Sequence, residues 1–222
     1  MRIAILGNGG FGTAMALTLE RANHDVSMWG HDATYTASIG ASRQNPRYLA
    51  NVTLPDPIRV SSDAALVLDR AEVILVAVPT QHIRSVLSGM LDSLGGDVPI
   101  VSLAKGLEQA TSMRPSEIIA EVVASKARAF ALSGPSHAEE IAHGQPTTVV
   151  VAGDGDEALK SLQMALQTDR FRVYRNADIL GVELCGALKN VMALAAGIAD
   201  GLGYGDNAKA AILSRGLVEM QR

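Results

Sequence analysis

The sequence is poor in features that mark several classes of protein. Its one cysteine, Cys185, can form no internal disulfide and cannot build a zinc site alone. Its five histidines form no H-E-x-x-H motif, and we expect no metal site. The formal net charge of −4, without a block of like charges, gives no footprint for nucleic acid. No apolar run approaches the ~18 residues of a membrane span, and the N-terminus lacks a signal-peptide pattern. We therefore expect no membrane span and a cytoplasmic location.

Apolar residues make up 48% of the chain and charged residues 19%, which allows a substantial core. Short apolar runs alternate with helical patterns. The runs that predict strands are 2–6, 25–29, 72–78, 99–103, 127–132 and 147–152. The patterns that predict helices are 13–22, 81–91, 115–125 and 157–166. Because strands and helices alternate, and several strands are apolar at nearly every position, we predict an α/β fold with a doubly wound (Rossmann), mostly parallel sheet.

The pattern changes at about residue 178, after which we predict no strand. The stretch 179–199 is apolar on almost every helical face and is interrupted by Glu183, Lys189 and Asn190. A helix of this kind is buried inside a larger assembly. The last residues keep a helical pattern without a glycine to end it. We therefore predict an NAD(P)-binding domain over 1–177, followed over 178–222 by the start of an all-helical C-terminal domain that is cut short.

A glycine motif predicts a dinucleotide site. Residues 7–12 read GNGGFG, a G-x-G-x-x-G pattern that directly follows the first strand and opens a helix. Gly7 permits the tight turn, Gly9 lets the backbone approach a pyrophosphate, and Gly12 lets helix and strand pack closely. The helix N-terminus supplies N–H groups and partial positive charge to the phosphates. The alternative is a glycine turn without a ligand, but a turn would need only one glycine.

The end of the second strand, WGHD over residues 29–32, bears on the choice between NAD and NADP. NAD sites place a carboxylate here for the ribose 2′-hydroxyl, and Asp32 comes one step late for that role. His31 could instead contact a 2′-phosphate with help from Arg43. This favours NADP and leaves NAD open. Alternatively, His31 and Asp32 are solvated turn residues.

Two lysines stand where a simple core would not place them. Lys105 directly follows the strand predicted at 99–103, and Lys189 lies in the middle of the apolar stretch 179–199. A lysine in an apolar helix is paired, reaches to solvent, or is functional. Burial and a second cation nearby would lower the pKa of Lys189 toward the range that suits acid–base catalysis. The alternatives are a Lys189–Glu183 ion pair and a solvated loop position for Lys105.

Further segments accompany the glycine motif in order along the chain: NPRYL (45–49), SLAKGLE (102–108), GPSHAEE (134–140), GVELCGALKNV (181–191) and DGLGYGDN (200–207). With these segments, the chain resembles bacterial-type NAD(P)-dependent glycerol-3-phosphate dehydrogenase over essentially its whole length. The resemblance implies an oxidoreductase that reduces dihydroxyacetone phosphate at C2 to sn-glycerol 3-phosphate for glycerophospholipid synthesis. The implied cofactor is NADP or NAD.

The resemblance also implies roles for single residues. Lys189 is expected to be the general acid of reduction and the base of oxidation, and Lys105 to contact both cofactor and substrate. Together with the glycine motif, it gives as further cofactor contacts Gly7, Gly9, Gly10, Phe11, Gly12, His31 and Ala138. The further substrate contacts are Gly134, Ser136 and Asn190. Cations near the carbonyl oxygen would favour the charge that develops there. The family's later contacts, an aspartate and a Ser-Arg-Asn run, do not occur before residue 222, so we expect cofactor binding with poor turnover.

Two other functions stay open at this point. One is another dehydrogenase of the same architecture, acting on a 2-hydroxyacid or a UDP-sugar. A UDP-sugar enzyme needs a nucleophilic cysteine, and Cys185 sits inside an apolar helix, which does not suit that role. The other is a non-catalytic dinucleotide-binding fragment. The apolar helical segment would expose its surface if left alone, which predicts self-association, as a homodimer or without specificity.

Overall fold

The computed structural model describes residues 1–124 and 129–221. Its strands are β1 (Arg2–Leu6), β2 (Asp25–Trp29), β3 (Gln44–Asn45), β4 (Leu49–Thr53), β5 (Arg59–Ser61), β6 (Val73–Val76), β7 (Ile100–Ser102), β8 (Ala129–Ser133), β9 (Thr147–Ala152) and β10 (Phe171–Asn176). Its helices are α1 (Gly10–Arg21), α2 (Ala33–Ser42), α3 (Ala64–Leu68), α4 (Thr80–Ser88), α5 (Pro115–Val122), α6 (Ala138–Ala142), α7 (Asp156–Leu166), α8 (Ile179–Gly201) and α9 (Asp206–Met220).

Eight of the described strands form one sheet in the order β10-β9-β8-β7-β6-β1-β2-β5. The strands from β5 to β8 in this order are all parallel to their neighbours. Among the described pairs of this sheet only β8–β9 is antiparallel, and β9 and β10 are again parallel to each other; β3 and β4 form a separate antiparallel pair. The chain builds outward from β1 to β2 and then returns to β6 on the other side of β1. That reversal opens a crevice at the carboxyl ends of β1 and β6, and it confirms the predicted mostly parallel, doubly wound sheet.

The core lies on both faces of this sheet, which explains why its central strands are apolar throughout. In β1, Ile3 and Ile5 face one buried cluster, which includes residues of α1 and α7. Ala4 and Leu6 face the other, which includes residues of α3, α4 and α5. Side chains alternate between the faces of a strand, so helices on both faces demand an apolar residue at every position.

The sequence missed the shorter and more polar elements. β3, β4, β5, β10, α2, α3 and α6 were not predicted. β10 illustrates the cause, because it lies at the edge of the sheet and exposes most of its residues beyond Phe171 and Val173. Its sequence, FRVYRN, therefore lacks the apolar run that marks an inner strand. Of the predicted elements, residues 125, 127 and 128 lie outside the described residues, as does residue 222 of the predicted C-terminal domain.

The C-terminal region described here is helical, as predicted, and α8 and α9 pack against each other. α8 begins after Asp178, whose carboxylate accepts from the N–H of Gly181 and caps the helix. Within the described ranges, α8 alone is long and apolar enough to cross a membrane by length and composition, with mean hydropathy 1.6 and 11% of that stretch buried. No uninterrupted apolar run of that length occurs, because Glu183, Lys189 and Asn190 interrupt the helix, so the absence of a membrane span stays a prediction. A core helix of a soluble protein passes the same test.

Candidate active site

The glycine motif forms the turn between β1 and α1, and its glycines differ in their surroundings. Gly7 has a φ of +126°, and a Cβ there would lie 2.7 Å from the carbonyl oxygen of Ala77. A Cβ on Gly12 would overlap the carbonyl oxygen of Gly7, so only glycine allows α1 to approach the turn this closely. Gly9 has no atom within 4 Å of such a Cβ. The loop is thus tightly packed on the protein side and open at Gly9.

A buried polar network holds the glycine loop from below. The Asn45 amide donates to the carbonyl oxygen of Asn8 and to the hydroxyl of Thr13, both at 2.8 Å. The Asn8 amide donates to Thr36 Oγ1 at 3.0 Å, and the Tyr35 hydroxyl donates to Asn45 Oδ1 at 2.5 Å. Sequence reasoning placed Asn45 in a recognised segment but gave it no role. The signal was available, because a buried asparagine must find hydrogen-bond partners.

We call the space beside this loop the glycine-loop cleft. It has a volume of about 620 Å³ and lies over the crevice between β1 and β6. Its lining includes Gly7, Gly9, Gly10, Phe11, Trp29, His31, Tyr48, Val78, Pro79 and Ala104. Gly10 and Phe11 begin α1 and line this space, so the end of the helix whose first N–H groups have no partner within the helix lies at the cleft. The expected cofactor residues Gly7, Gly9, Gly10, Phe11 and His31 therefore share one cleft. Gly12 does not line it and instead packs inside the turn.

At the far end of this cleft, the residues after β2 have separate tasks. His31 is exposed and lines the cleft. The Asp32 carboxylate accepts from the N–H of Tyr35 at 2.9 Å and caps α2, as a turn residue would. Arg43 does not help His31, because its guanidinium donates to the carbonyl oxygens of Leu54, Pro55 and Ile58.

Arg47 is the arginine that the fold brings near this end. Its guanidinium lies 4.1 Å from the Tyr35 ring centroid and 5.9 Å from that of Tyr48. Its Nη1 lies 3.8 Å from Oδ2 of Asp32, the residue after His31. A planar guanidinium stacks on aromatic faces and can still bind a phosphate at its edge. Sequence reasoning placed Arg47 in a recognised segment but gave it no role, because spacing alone does not show which arginine a loop turns toward a strand end.

A second space, which we call the lysine cleft, lies between β8, β9 and α8. Its volume is about 900 Å³. Its lining includes Lys105, Ser133, Gly134, Ser136, His137, Glu140, Thr148, Cys185, Gly186 and Lys189. The expected substrate residues Lys105, Gly134, Ser136 and Lys189 therefore meet here. Asn190 is not among the residues that line it. Cys185 lies within the apolar helix α8, as expected, and it is exposed there.

Lys105 stands between the two clefts. Its Nζ donates to the Ser136 hydroxyl at 2.6 Å and lies 5.9 Å from the ring centroid of Phe11, a residue of the glycine-loop cleft. Its carbonyl oxygen accepts from Thr80 Oγ1 at 2.9 Å, which fixes the backbone. Burial lowers the pKa of the Lys105 ammonium below its ordinary value, and the positive charge of Lys189 lowers it further. Lys105 is thus a half-buried cation with a second cation facing it.

Lys189 is exposed on α8, and its Nζ donates to Asn190 Oδ1 at 3.2 Å. The structure does not contain the alternative Lys189–Glu183 ion pair. Glu183 is buried, and its Oε2 lies 2.7 Å from Arg114 Nη1. Lys189 is therefore not paired with Glu183, and it lines the lysine cleft. Gly186 lets α8 approach, since a Cβ there would lie 3.0 Å from the Ser133 hydroxyl. Gly134 has a φ of +151°, and a Cβ there would lie 2.9 Å from the Thr148 carbonyl oxygen.

Ala138 lies at the first residue of α6, and a Cβ on Gly10 would stand 3.5 Å from its methyl group. It therefore approaches the start of α1 without lining either cleft. Within residues 1–124 and 129–221, no group of three histidine, cysteine, aspartate or glutamate side chains could hold a metal ion. The arrangement instead offers a glycine-lined space and a cationic space joined at Lys105.

Comparison with known proteins shows which family this chain resembles in sequence. Residues 2–159 match the family model described as NAD-dependent glycerol-3-phosphate dehydrogenase N-terminus, and residues 178–222 match the corresponding C-terminus. A glycerol-3-phosphate dehydrogenase [NAD(P)+] of Chlorobium phaeobacteroides (strain BS1) is 47% identical over 224 residues, with 100% of this chain and 67% of that protein covered. The protein of the same name from Bacillus pumilus is 47% identical over 223 residues, with 100% and 65% covered. The chain thus spans about two thirds of the length of these relatives.

Solved structures agree with the sequence matches. A glycerol-3-phosphate dehydrogenase from Coxiella burnetii has a TM-score of 0.92 at 38% identity, over 100% of this chain and 67% of that one. That from Plasmodium falciparum has a TM-score of 0.89 at 29% identity, over 99% and 64%. A pyrroline-5-carboxylate reductase from Coxiella burnetii, with a TM-score of 0.61 at 12% identity over 97% and 76%, shares the fold alone.

Proposed function

Because this chain belongs to the NAD-dependent glycerol-3-phosphate dehydrogenase family of oxidoreductases, we propose that its two clefts serve NAD(P)H-dependent reduction of dihydroxyacetone phosphate to sn-glycerol 3-phosphate. The observation that carries the proposal is the position of Lys105. It joins a glycine-lined cleft to a cationic one and faces Lys189 there. A hydride donor and a phosphorylated ketone need adjoining sites of these two kinds.

The glycine-loop cleft fits the dinucleotide cofactor, NADP or NAD. Gly9 leaves open the space that a side chain would fill, and the free N–H groups at the start of α1 offer hydrogen bonds to a pyrophosphate. When bound, the cofactor supplies the hydride. Phe11 and Tyr48 line the cleft and would exclude water along its length. We assign Gly7, Gly9, Gly10, Phe11 and Gly12 to this site, with Ala138 at its edge.

In the lysine cleft, the chain's own cations would bind the substrate and manage the proton. C2 of the ketone gains a hydride, the C=O π pair moves to oxygen, and that oxygen takes a proton. We propose that the Lys189 ammonium donates this proton and that the neutral amine takes it back in the oxidation. Lys105 would stabilise the negative charge on the same oxygen. Gly134, Ser136 and Asn190 would contact the substrate, the first two from the wall of the cleft.

We propose a preference for NADP over NAD, resting on the charge at the far end of the glycine-loop cleft. His31 lines that end, and the Arg47 guanidinium lies beside Asp32. Oδ1 of Asp32 caps α2 and Oδ2 lies 3.8 Å from Arg47 Nη1, so a ribose 2′-hydroxyl would have to share this carboxylate with both partners. A 2′-phosphate would find two cationic or polar groups there, with Arg47 taking the part first given to Arg43.

We also propose how the chain associates and where it acts. α8 and α9 expose large apolar side chains that favour self-association, and we propose a homodimer. These side chains include Leu188, Val191, Leu194, Ile198, Leu213 and Leu217. We propose a cytoplasmic enzyme of glycerophospholipid synthesis without a membrane span, because the buried Glu183 carboxylate ties α8 to α5. We also propose a boundary between an NAD(P)-binding domain over 1–177 and a helical domain that begins at 178.

The experiment that tests the function is a titration with NADPH and with NADH, followed by calorimetry and by the fluorescence of Trp29, which lines the glycine-loop cleft. Turnover of dihydroxyacetone phosphate is measured on the same sample. We expect saturable binding that is tighter for NADPH, and oxidation of NADPH that depends on the ketone. Binding without turnover would support the non-catalytic alternative. A folded chain that binds neither cofactor would overturn the proposal.

A further inference from the structure

Glu183 is a buried carboxylate that the proposed chemistry does not use. It lies on α8, the helix that carries Lys189, and 4% of its side chain is exposed. Its Oε1 accepts from the backbone N–H of Ser116 at 2.8 Å. Its Oε2 accepts from Arg114 Nη1 at 2.7 Å and from the Ser116 hydroxyl at 2.5 Å. A buried carboxylate persists when its charge is paired and its oxygens are hydrogen-bonded, and both conditions hold here.

The partners of Glu183 form the first turn of α5, and they are themselves fixed. Arg114 caps that helix and Ser116 follows at its second residue, so the Ser116 N–H is one that the helix cannot satisfy internally. A negative charge at this end also complements the helix dipole. The Arg114 guanidinium is held by Glu117 at 2.8 Å, and the Glu117 carboxylate accepts from the Arg114 N–H at 2.9 Å.

A single braced loop runs from Lys105 to Arg114. α4 holds its beginning, because Gln81 donates to the Leu107 carbonyl oxygen at 2.8 Å. Arg84 donates to both oxygens of the buried Glu108 carboxylate, at 3.0 and 2.9 Å. The loop then turns on itself, with the N–H of Glu108 bonded to the carbonyl oxygen of Met113 at 2.9 Å. Lys105 and the clamp on Glu183 are therefore opposite ends of one rigid segment.

The other attachments of α8 to the described chain are mainly packing contacts, against β8, β9 and α9. Gly186 packs against Ser133, and a Cβ there would also stand 3.7 Å from Cγ of Lys105. Most of the helix is exposed, including Cys185 and Lys189. Close packing at a glycine sets how near α8 comes to β8. It does little to stop the helix from sliding or turning about its axis, whereas three directional hydrogen bonds to one carboxylate do both.

We propose that Glu183 is a positioning residue, whose contacts with Arg114 and Ser116 hold α8 so that Lys189 faces Lys105 across the lysine cleft. The catalytic meaning of this placement rests on the proposed function, but the placement itself does not. Loss of Glu183 would change the electrostatic surroundings of Lys105, because Lys189 would move with α8. The other groups that face Lys105 belong to the sheet side and would stay in place. These are Ser136 at its Nζ, the Phe11 ring, and His137 and Glu140 in the cleft wall.

The test replaces Glu183 by glutamine, Glu183→Gln, and uses Glu157→Gln on the exposed start of α7 as the matched control. The chain has one tryptophan and one cysteine, so energy transfer from Trp29 to a dye on Cys185 reports the position of α8 against the sheet. The pKa of Lys105 is followed by NMR of lysine side chains and assigned with Lys105→Arg. We expect lower transfer and a Lys105 pKa that moves up toward its ordinary value, with NADPH binding unchanged.

In the variant we also expect kcat to fall by about 10- to 100-fold, with a smaller change in KM, because a shift of about 1 Å in a catalytic group costs this much. Unchanged transfer and an unchanged Lys105 pKa in folded Glu183→Gln would overturn the proposal. If that variant does not fold, Ser116→Ala removes one donor to Glu183 and should change the energy transfer and the Lys105 pKa in the same directions by smaller amounts. No change in Ser116→Ala would also overturn the proposal. A wild-type chain without turnover would count against the proposed function, while transfer and pKa still decide this inference.

Discussion

The two clefts rest on unequal support. The glycine-loop cleft is built on the sheet, and the loop that forms it is held by the buried amides of Asn8 and Asn45. The lysine cleft has the sheet on one side and α8 on the other, and α8 is largely exposed in the described chain. One cleft is thus fixed by the core, whereas the geometry of the other depends on how one helix is seated.

This difference separates cofactor binding from proton transfer. Residues proposed to contact the cofactor are shaped by packing that would form whether or not α8 is in place. Lys189 has no such support and relies on Gly186 and on the Glu183 clamp. Changes in the sheet should therefore affect stability and cofactor binding together, whereas changes that displace Lys189 on α8 should lower turnover and leave cofactor binding unchanged.

The largest expected effect comes from Lys189→Ala, which removes the proposed proton donor and leaves the sheet untouched. Loss of a general acid costs about 10²- to 10⁴-fold in rate, so we expect kcat to fall within that range. NADPH affinity should stay the same, measured by calorimetry on the same sample. Lys160→Ala, an exposed site on α7, is the matched control and should change neither quantity. A variant that keeps full turnover would remove Lys189 from the mechanism.

Packing in the two regions can be compared directly with a matched pair of glycine substitutions. In Gly12→Ala, the new methyl group would meet the backbone of Gly7, which cannot move without opening the turn. Such overpacking costs up to about 3 kcal/mol, and NADPH binding should weaken with it. In Gly197→Ala on α8, the methyl group meets nothing within 4 Å.

Gly197→Ala should therefore stabilise the chain by about 0.5–1 kcal/mol, because alanine has the better helix propensity. Urea unfolding of both variants measures the two free energies. Equal destabilisation by both would mean that α8 is as tightly packed as the sheet.

The sequence predicted the parts of the molecule where a buried face imposes a regular pattern. β1, β2 and β9 were predicted with the bounds that the structure has, because helices cover both faces of the sheet and most inner positions of these strands are apolar. The glycine motif was found because its spacing fixes both a turn and a helix start. Edge and linking elements such as β10 and α2 escaped, because their residues are polar and their pattern is set by neighbours distant in sequence.

Which side chains meet at the site was harder to predict. Lys105 and Lys189 were singled out by their apolar surroundings along the chain. The sequence did not predict that Glu183 pairs with Arg114, because the two residues are separated by 69 positions in the chain. Arg43 was proposed for a role that its own carbonyl contacts exclude. Propensity and spacing describe neighbours along the chain, whereas these contacts depend on how the loops fold back.

A smaller effect, on NADPH affinity, is expected from a substitution at the far end of the glycine-loop cleft. Arg47→Ala should weaken NADPH binding by about tenfold, which is the low end for a hydrogen bond to a charged group. NADH binding should change little, since it has no 2′-phosphate. Arg43 is a control of the opposite kind, because Arg43→Ala removes contacts to Leu54 and Ile58 and should lower stability without changing the ratio of the two affinities. Calorimetry with both cofactors gives the ratio, and an unchanged ratio in Arg47→Ala would place the 2′-phosphate elsewhere.

The smallest expected effect is on the free energy of unfolding, which is lowered by the burial of the charged Lys105 between the two clefts. Its pKa is lowered in the folded chain, by burial first and by Lys189 second, from an ordinary value of 10.5. Below the folded pKa, both folded and unfolded chains bind the proton, and the cost of burying the charge is fully present. As pH rises through the folded pKa toward 10.5, the unfolded chain binds more protons than the folded one, so stability increases.

Lys105→Met should therefore stabilise the chain at neutral pH, by a margin that shrinks as the pH approaches 10.5. Thermal unfolding of both proteins across this range measures the margin, with Lys160→Met as an exposed control whose margin should not depend on pH. In Lys189→Ala, one of the two causes of the lowered pKa is gone, so the same Lys105→Met margin should be smaller. An equal margin in both backgrounds would mean that α8 does not bring Lys189 within reach of Lys105. The two clefts would then act independently.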